Sequence, residues 1–207
     1  KEAAFKLSDS YGQSAENCRA VNTLSFSEDG RIYGESTDGL GLLKDLENNG
    51  VYLQGKEVLM LGSGGAARSV IPSLHQQEVA GLTLCNRTNE KAIQMREDFI
   101  HLRDINVLDG PSLKNDYDIV INATSANLNN EVPLINPDVL NNSICYDMGY
   151  TYGDTFFLRW AKKFNPSVCI QGWGMLVEQA AESFSIWRGV RPETTEIILR
   201  LQKETEN

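Results

Sequence analysis

The apolar run Val58-Leu59-Met60-Leu61 stops at Gly62, and Ser63-Gly64-Gly65-Ala66 follows before a helix-like stretch over 65–77. No other segment constrains the fold as much. A strand turning into a helix through adjacent glycines exposes backbone N–H groups and the positive end of the helix dipole, and phosphate is the usual guest there. Gly62 permits the sharp turn, while Gly64 and Gly65 let a pyrophosphate approach the main chain. An ordinary strand-to-helix turn reads similarly, because the motif alone is only moderately specific. Pro72 lies beyond the first helical turn, where it removes a bond to the carbonyl of Arg68 and predicts a kink.

Strand-like runs recur at 58–62, 81–86, 117–124, 143–149 and 167–172, with helix-like segments at 65–77, 89–101 and 154–164. This alternation predicts an α/β fold, a Rossmann-like doubly wound parallel sheet covered on both faces. Residues 38–50 read as a helix closed by Asn48-Asn49-Gly50; 174–190 and 192–204 read as two more, the second opened by Pro192. The first 37 residues suggest a helix and a hairpin turning at Asp29-Gly30, too little for a core of their own. We therefore divide the chain into a remnant of a smaller α/β lobe (1–38), the main domain (39–190) and a C-terminal helix (191–207) expected to pack back toward the small lobe.

The 207 residues carry a net charge of -9, which argues against nucleic acid or an anionic membrane surface as partner. Cys18, Cys85, Cys145 and Cys169 lack metal-type spacing and read as buried cytosolic thiols, so no metal site is expected and the location is cytoplasmic. No apolar stretch approaches the ~20 residues of a membrane span. His75 and His101 read as surface residues, and Trp160, Trp173 and Trp187 as packing.

At the end of the second main-domain strand, NAD-binding folds carry an acid for the ribose hydroxyls. Here the sequence is Cys85-Asn86-Arg87-Thr88-Asn89-Glu90-Lys91, with no acid at the strand tip. Arg87, Thr88 and Lys91 could hold a 2′-phosphate instead, with Arg87 stacking on adenine. The plainer reading is a solvated helix start capped by Thr88. Basic residues are unfavourable at a helix N-terminus, however, so an anion is expected to offset them. NADP is preferred over NAD.

The segments "KEAAFKLSD" (1–9), "AVNTL" (20–24), "GESTDGLGLL" (34–43), "GSGGAARS" (62–69), "NRT" (86–88), "INATS" (121–125), "YDMGY" (146–150) and "GWGMLVEQAAESFSIWRG" (172–189) occur in one order along the chain. In that order the chain resembles the shikimate dehydrogenase family, whose members reduce 3-dehydroshikimate to shikimate with NADPH on the route to aromatic amino acids. The resemblance implies that Lys1 is the catalytic lysine and Asp38 its carboxylate partner. It implies substrate binding by Asn22, Asp38, Tyr150 and Gln179. It makes Gly62, Ser63, Gly64, Gly65 and Ala66 the phosphate loop, and Asn86, Arg87, Thr88 and Lys91 the 2′-phosphate clamp. Thr124, Ser125, Met148 and Gly172 would border the nicotinamide. The partner implied is a small-molecule substrate, and a homodimer is compatible with the family. The resemblance also implies that most of the N-terminal substrate-binding domain is absent, leaving Lys1 at a frayed end, so that the chain alone binds cofactor but turns over poorly.

The chemistry suits these residue types. Hydride addition to a ketone leaves charge on oxygen, which an ammonium stabilises and then protonates, with a carboxylate orienting it. Plainer readings exist for each residue: a solvated terminal lysine for Lys1, a helix N-cap for Asp38, a half-buried aromatic for Tyr150, a satisfied polar group for Gln179. "STD" (36–38), "SAN" (125–127) and Gly149 depart from the family's commoner residues without removing a catalytic group. Two classes of function are compatible with these residues, an NADP-dependent shikimate dehydrogenase or a catalytically silent NADP-binding or regulatory module. A quinate/shikimate relative using NAD is disfavoured by the missing acid near residue 86.

Overall fold

The computed structural model describes residues 1–102, 104–114, 116–124 and 131–205. Six strands, β4 (Glu57–Leu61), β5 (Gly81–Cys85), β6 (Ile105–Val107), β7 (Ile119–Asn122), β8 (Ile144–Asp147) and β9 (Val168–Gln171), form a sheet in the order β6-β5-β4-β7-β8-β9. Every neighbouring pair is parallel. Numbered from β4, this order is the doubly wound 3-2-1-4-5-6 of dinucleotide-binding folds, and the direction in which strands are added to the sheet reverses between β4 and β7. The α/β expectation therefore holds. The sequence reading missed β6, whose three residues centre on polar Asn106 and form no apolar run.

Both faces of the sheet are buried, which explains why its strands read as continuous apolar runs rather than alternating ones. One face packs Val58, Met60, Ile119, Ile121 and Tyr146 against α3 (Asp38–Asn48), α4 (Gly65–Gln76), α5 (Asn89–Asp98) and the start of α7 (Trp173–Arg188). The other packs Leu59, Leu61, Val120 and Cys145 against α6 (Phe156–Ala161) and the 3₁₀ turn Pro137–Leu140. Helix α4 continues through buried Pro72.

The first 37 residues build more than a helix and a hairpin. Besides α1 (Glu2–Leu7) and the antiparallel hairpin of β2 (Thr23–Phe26) and β3 (Ile32–Glu35), they form β1 (Ser10–Tyr11), parallel to β3, and α2 (Gln13–Cys18). Glu35 Oε1 accepts the Ala15 and Ser36 amides (2.9 and 2.8 Å), so the hairpin holds the first turn of α2. The last helix, α8, runs Thr195–Thr205 and so starts later than Pro192 suggested. The Thr194 hydroxyl instead donates to buried Glu178 on α7 (2.9 Å), which also accepts from Asn48 of α3 (2.8 Å) and pairs with Arg191. Among the described residues no helix is long and apolar enough to cross a membrane.

One buried polar contact ties α3 to the sheet. The Tyr146 hydroxyl donates to Asp45 Oδ2 at 2.6 Å, and Asn49 Nδ2 donates to Asp45 Oδ1 at 3.0 Å. Burial pushes Asp45 up from its ordinary range, against the lowering effect of these donors. A raised carboxylate contributes stability below its unfolded value and loses it as pH rises through the folded value. The Tyr146 hydroxyl opposes the upward shift of Asp45 by favouring the ionised form, so Tyr146→Phe is expected to cost about 1–3 kcal/mol at pH 7 by leaving a buried acceptor without its donor. The loss should shrink below the ordinary carboxylate range, where Asp45 is protonated in folded and unfolded chains alike; denaturant titrations at the two pH values measure both.

Candidate functional site

The loop after β4 lies at the carboxyl edge of the sheet, beside the strand-order reversal. Gly62 has φ +104, and its amide donates to the Cys85 carbonyl at 2.8 Å. A Cβ there would lie 3.2 Å from the Ala123 carbonyl carbon and 3.2 Å from Thr124 Cγ2. The fold itself thus requires glycine at 62. Gly64 is different: its φ of -91 suits any residue, and a Cβ at Gly64 or Gly65 would meet nothing within 4 Å. Neither backbone strain nor packing explains those two glycines. They keep space open beside the first turn of α4, which contains Ala66, has no side-chain cap and carries no acid. Ser63 Oγ is buried there without a hydrogen-bond partner. Open glycines, uncapped amides and an orphaned hydroxyl fit an anionic group such as a pyrophosphate.

The turn after β5 brings Asn86, Arg87, Thr88 and Lys91 to the same edge. Asn86 Nδ2 donates to the Thr88 carbonyl at 2.7 Å and shapes the turn. Thr88 occupies the N-cap position of α5, yet its side chain makes no capping bond. Arg87 and Lys91 are exposed, and Arg87 meets Glu131 Oε2 at 3.4 Å.

Lys1, Asp38, Asn22 and Gln179 come together from four separate places in the chain: ahead of α1, the start of α3, just before β2, and α7. Lys1 precedes α1; its carbonyl accepts the Phe5 and Val21 amides (3.0 and 3.1 Å) and its ammonium pairs with Asp38 Oδ2. Asp38 is buried and is the first residue of α3, whose N-cap is Thr37, so the N-cap reading of Asp38 is corrected. Its carboxylate turns to Lys1 and Asn22 rather than back to the helix amides. Asn22 Nδ2 lies 2.9 Å from Asp38 Oδ1, 2.9 Å from Gln179 Oε1 and 3.0 Å from Thr37 Oγ1, while Asn22 Oδ1 accepts the Thr37 amide at 3.0 Å. The Lys1 side chain keeps 34% of its surface accessible beside an almost wholly buried Asp38, so the ammonium can meet a ligand while still paired.

Sequence reasoning missed a layer behind this cluster. Ser183 Oγ lies 2.6 Å from Thr23 Oγ1 and 3.2 Å from Thr37 Oγ1, bracing the residues on either side of Asn22. Its i,i+4 spacing from Gln179 on α7 was the available signal.

Across the sheet edge, Met148 and Gly172 abut: a Cβ on Gly172 would stand 2.6 Å from the Met148 carbonyl oxygen. Buried Asp147 fixes this turn, accepting from Thr155 Oγ1 (2.6 Å), Asn122 Nδ2 (3.1 Å) and the Gly149 amide (3.0 Å). Asn122 Oδ1 in turn accepts from Thr124 Oγ1 at 2.7 Å. Ser125 lies outside the described residues. Tyr150 is half-exposed, and its ring packs at a tilt against Trp173 with centroids 4.6 Å apart, at the start of the helix that carries Gln179. Among the described residues, no group of three or more His, Cys, Asp or Glu is placed to hold a metal ion.

The chain resembles known proteins over its whole length. Residues 45–140 match the family model "Shikimate / quinate 5-dehydrogenase", and residues 172–198 match "Shikimate 5'-dehydrogenase C-terminal domain". The chain is 44% identical over all 207 residues to shikimate dehydrogenase (NADP(+)) of Vibrio cholerae, spanning 74% of that protein. Among solved structures, the Ael1 enzyme of Pseudomonas putida superposes with a TM-score of 0.89 at 41% identity, covering 97% of this chain and 74% of that one. Shikimate 5-dehydrogenase of Thermus thermophilus in complex with NADP(H) and shikimate gives a TM-score of 0.81 at 28% identity, covering 99% and 76%.

The two kinds of glycine in the loop are separable by measurement. Gly62→Ala is expected to lower unfolding stability by about 1–3 kcal/mol, since alanine must adopt a sparsely populated backbone conformation. Gly64→Ala should change it by less than about 0.5 kcal/mol. Equal losses in denaturant titrations would show that Gly64 too is required by the fold.

Proposed function

This chain belongs to the shikimate dehydrogenase family, and we propose that it is an NADP-dependent oxidoreductase interconverting 3-dehydroshikimate and shikimate. The observation carrying this reading is the Lys1–Asp38–Asn22–Gln179 cluster, on a chain whose glycine loop keeps open space at a helix N-terminus. Each assigned role is part of the proposal. NADPH, when bound, supplies the hydride. The α4 amides and Ser63 hydroxyl hold its pyrophosphate, Arg87, Thr88 and Lys91 its 2′-phosphate, and Thr124 and the Met148–Gly172 turn border the nicotinamide.

Lys1 donates a hydrogen bond to the substrate carbonyl oxygen, stabilises the charge that develops there and delivers the proton. Asp38 orients the ammonium and accepts from the substrate hydroxyl formed. Asn22 and Gln179 exchange their mutual hydrogen bond for bonds to the substrate's polar groups. Tyr150 contributes a hydroxyl from the opposite side. A cluster that satisfies itself when empty keeps its side chains in place, so little ordering remains to be done on binding.

The domain division at residues 38 and 190 belongs to the same proposal. The cofactor side draws on the six-stranded sheet, whereas Asn22 hangs on a three-stranded one. Within the same proposal, the 207-residue polypeptide is expected to bind NADPH and to oxidise shikimate slowly.

Two measurements test this. Arg87→Ala should weaken NADPH binding by about 1.5–3 kcal/mol, roughly 10- to 150-fold, and leave NADH binding unchanged. Equal affinity of the parent for both cofactors would remove the 2′-phosphate clamp. Lys1→Ala should lower shikimate-dependent NADP⁺ reduction at least about 100-fold while NADPH binding persists. Turnover indifferent to Lys1 would overturn the catalytic assignment, and cofactor binding with no turnover in the parent would favour a silent binding module.

A further inference from the structure

Two cysteines that take no part in the proposed chemistry face each other across the sheet. Cys145 of β8 and Cys169 of β9 are register partners in a parallel pair, and both side chains lie on the face packed against α6. Ser143 Oγ stands 3.6 Å from Cys145 Sγ. Cys145 is fully buried, whereas Cys169, on the last strand of the sheet, is partly exposed. Solvent thus reaches the Cys169 residue, with Cys145 behind it.

We propose that Cys145 and Cys169 are a redox-active pair that closes into a cross-strand disulfide when a peroxide oxidises Cys169, and that closure weakens cofactor binding. The second half rests on the reading of Met148 and Gly172 as the nicotinamide border. Each lies three residues beyond one of the two cysteines, directly after the end of that cysteine's strand.

The chemistry balances in two steps. The Cys169 thiolate attacks one peroxide oxygen; an S–O bond forms, the O–O bond breaks, and the departing hydroxide takes up a proton as water. Cys145 Sγ then attacks Cys169 Sγ; the S–S bond forms, the S–O bond breaks, and hydroxide leaves with the Cys145 proton as a second water. Two thiols are oxidised, and one peroxide is reduced.

The surroundings select the attacking sulfur. The Cys145 thiol beside it draws the Cys169 thiol below its ordinary range, and the Lys162 ammonium adds to this while Asp154 opposes it. Cys145 is held above that range by the same pairing and by burial. Burial likewise pushes Cys18 up and Cys85 to about 11, which leaves both protonated at neutral pH. Parallel neighbours stand about 4.8 Å apart, whereas disulfide Cβ atoms approach to roughly 3.5–4.5 Å. Closure must therefore twist β8 against β9, which makes the bond easy to reduce and passes the distortion to the turns at the ends of these strands.

The test treats the reduced 207-residue protein with hydrogen peroxide and follows it by intact mass and non-reducing peptide mapping. Loss of two hydrogens, a peptide linking Cys145 to Cys169, and reversal by dithiothreitol are expected. In Cys169→Ser the link should be absent; in Cys145→Ala, residue 169 should instead gain oxygen. NADPH affinity should fall at least about fivefold in the oxidised protein and recover on reduction. It should stay constant in peroxide-treated Cys169→Ser. Oxygen adducts without a link in the parent, or a link through Cys18 or Cys85, would overturn the pair. A link with unchanged NADPH affinity would overturn the coupling. A reduced protein that binds no NADPH would refute the cofactor reading, while the mass result still decides on the disulfide.

Discussion

The parallel pairing of β4 with β5 on one side and β7 on the other governs where every part of the cofactor crevice can lie. With all six strands running the same way, every strand-to-helix turn opens at one edge. The strand order reverses at β4, so the turns after β4 and β7 diverge and leave a crevice between them. Gly62 sits at that point with its backbone against Ala123 and Thr124, and only a residue at home at φ +104 closes the gap. The turns after β5, β8 and β9 bring Arg87, Met148 and Gly172 to the same edge without any contact among these residues in sequence.

The small three-stranded sheet is joined to this framework through α3 and α7. Gly39 faces Ser73 of α4, and Gly41 allows the Gln179 backbone of α7 to approach: a Cβ at 41 would lie 2.9 Å from the Gln179 amide nitrogen. Helix α3 therefore carries Asp38 at its start and supports Gln179 one turn later. Asn22 closes the arrangement, because one amide group meets acceptors from α3, its cap and α7 at once. Ser183 reinforces it from below. Its loss is expected to loosen the placement of Asn22 while leaving the charged pair of Lys1 and Asp38 in contact.

What the sequence made legible is what local geometry encodes. The glycine loop, the apolar strands and the hairpin at Asp29-Gly30 each follow from backbone requirements of a few adjacent residues, and Gly30 has φ +82 as such a turn requires. Strand β6 was invisible because an edge strand of three residues has no pattern to detect. The start of α8 was misplaced because Thr194 is spent on buried Glu178, a partner far along the chain. Asp38 at a helix start looked like a cap, and only the positions of Lys1 and Asn22 reveal where its carboxylate turns. For Ser183 the spacing from Gln179 marks only the shared helix face; its partners Thr23 and Thr37 are set by tertiary packing.

A net charge of -9 sets a further condition on binding a polyanion. At physiological ionic strength the screening length is about 8 Å, so distant acids contribute little and the nearest groups decide. At the crevice those groups are donors. The first turn of α4 carries no acid, and Ser63 offers an unused hydroxyl. Glu90 lies in the first turn of α5 beside the proposed clamp, and Glu131 pairs with Arg87 at 3.4 Å where both side chains are mostly exposed. Such a pair is worth at most about 1 kcal/mol, less than a charge-assisted bond from Arg87 to a phosphate. A dinucleotide phosphate can therefore displace Glu131, and until then the acid holds Arg87 near the edge it is to occupy.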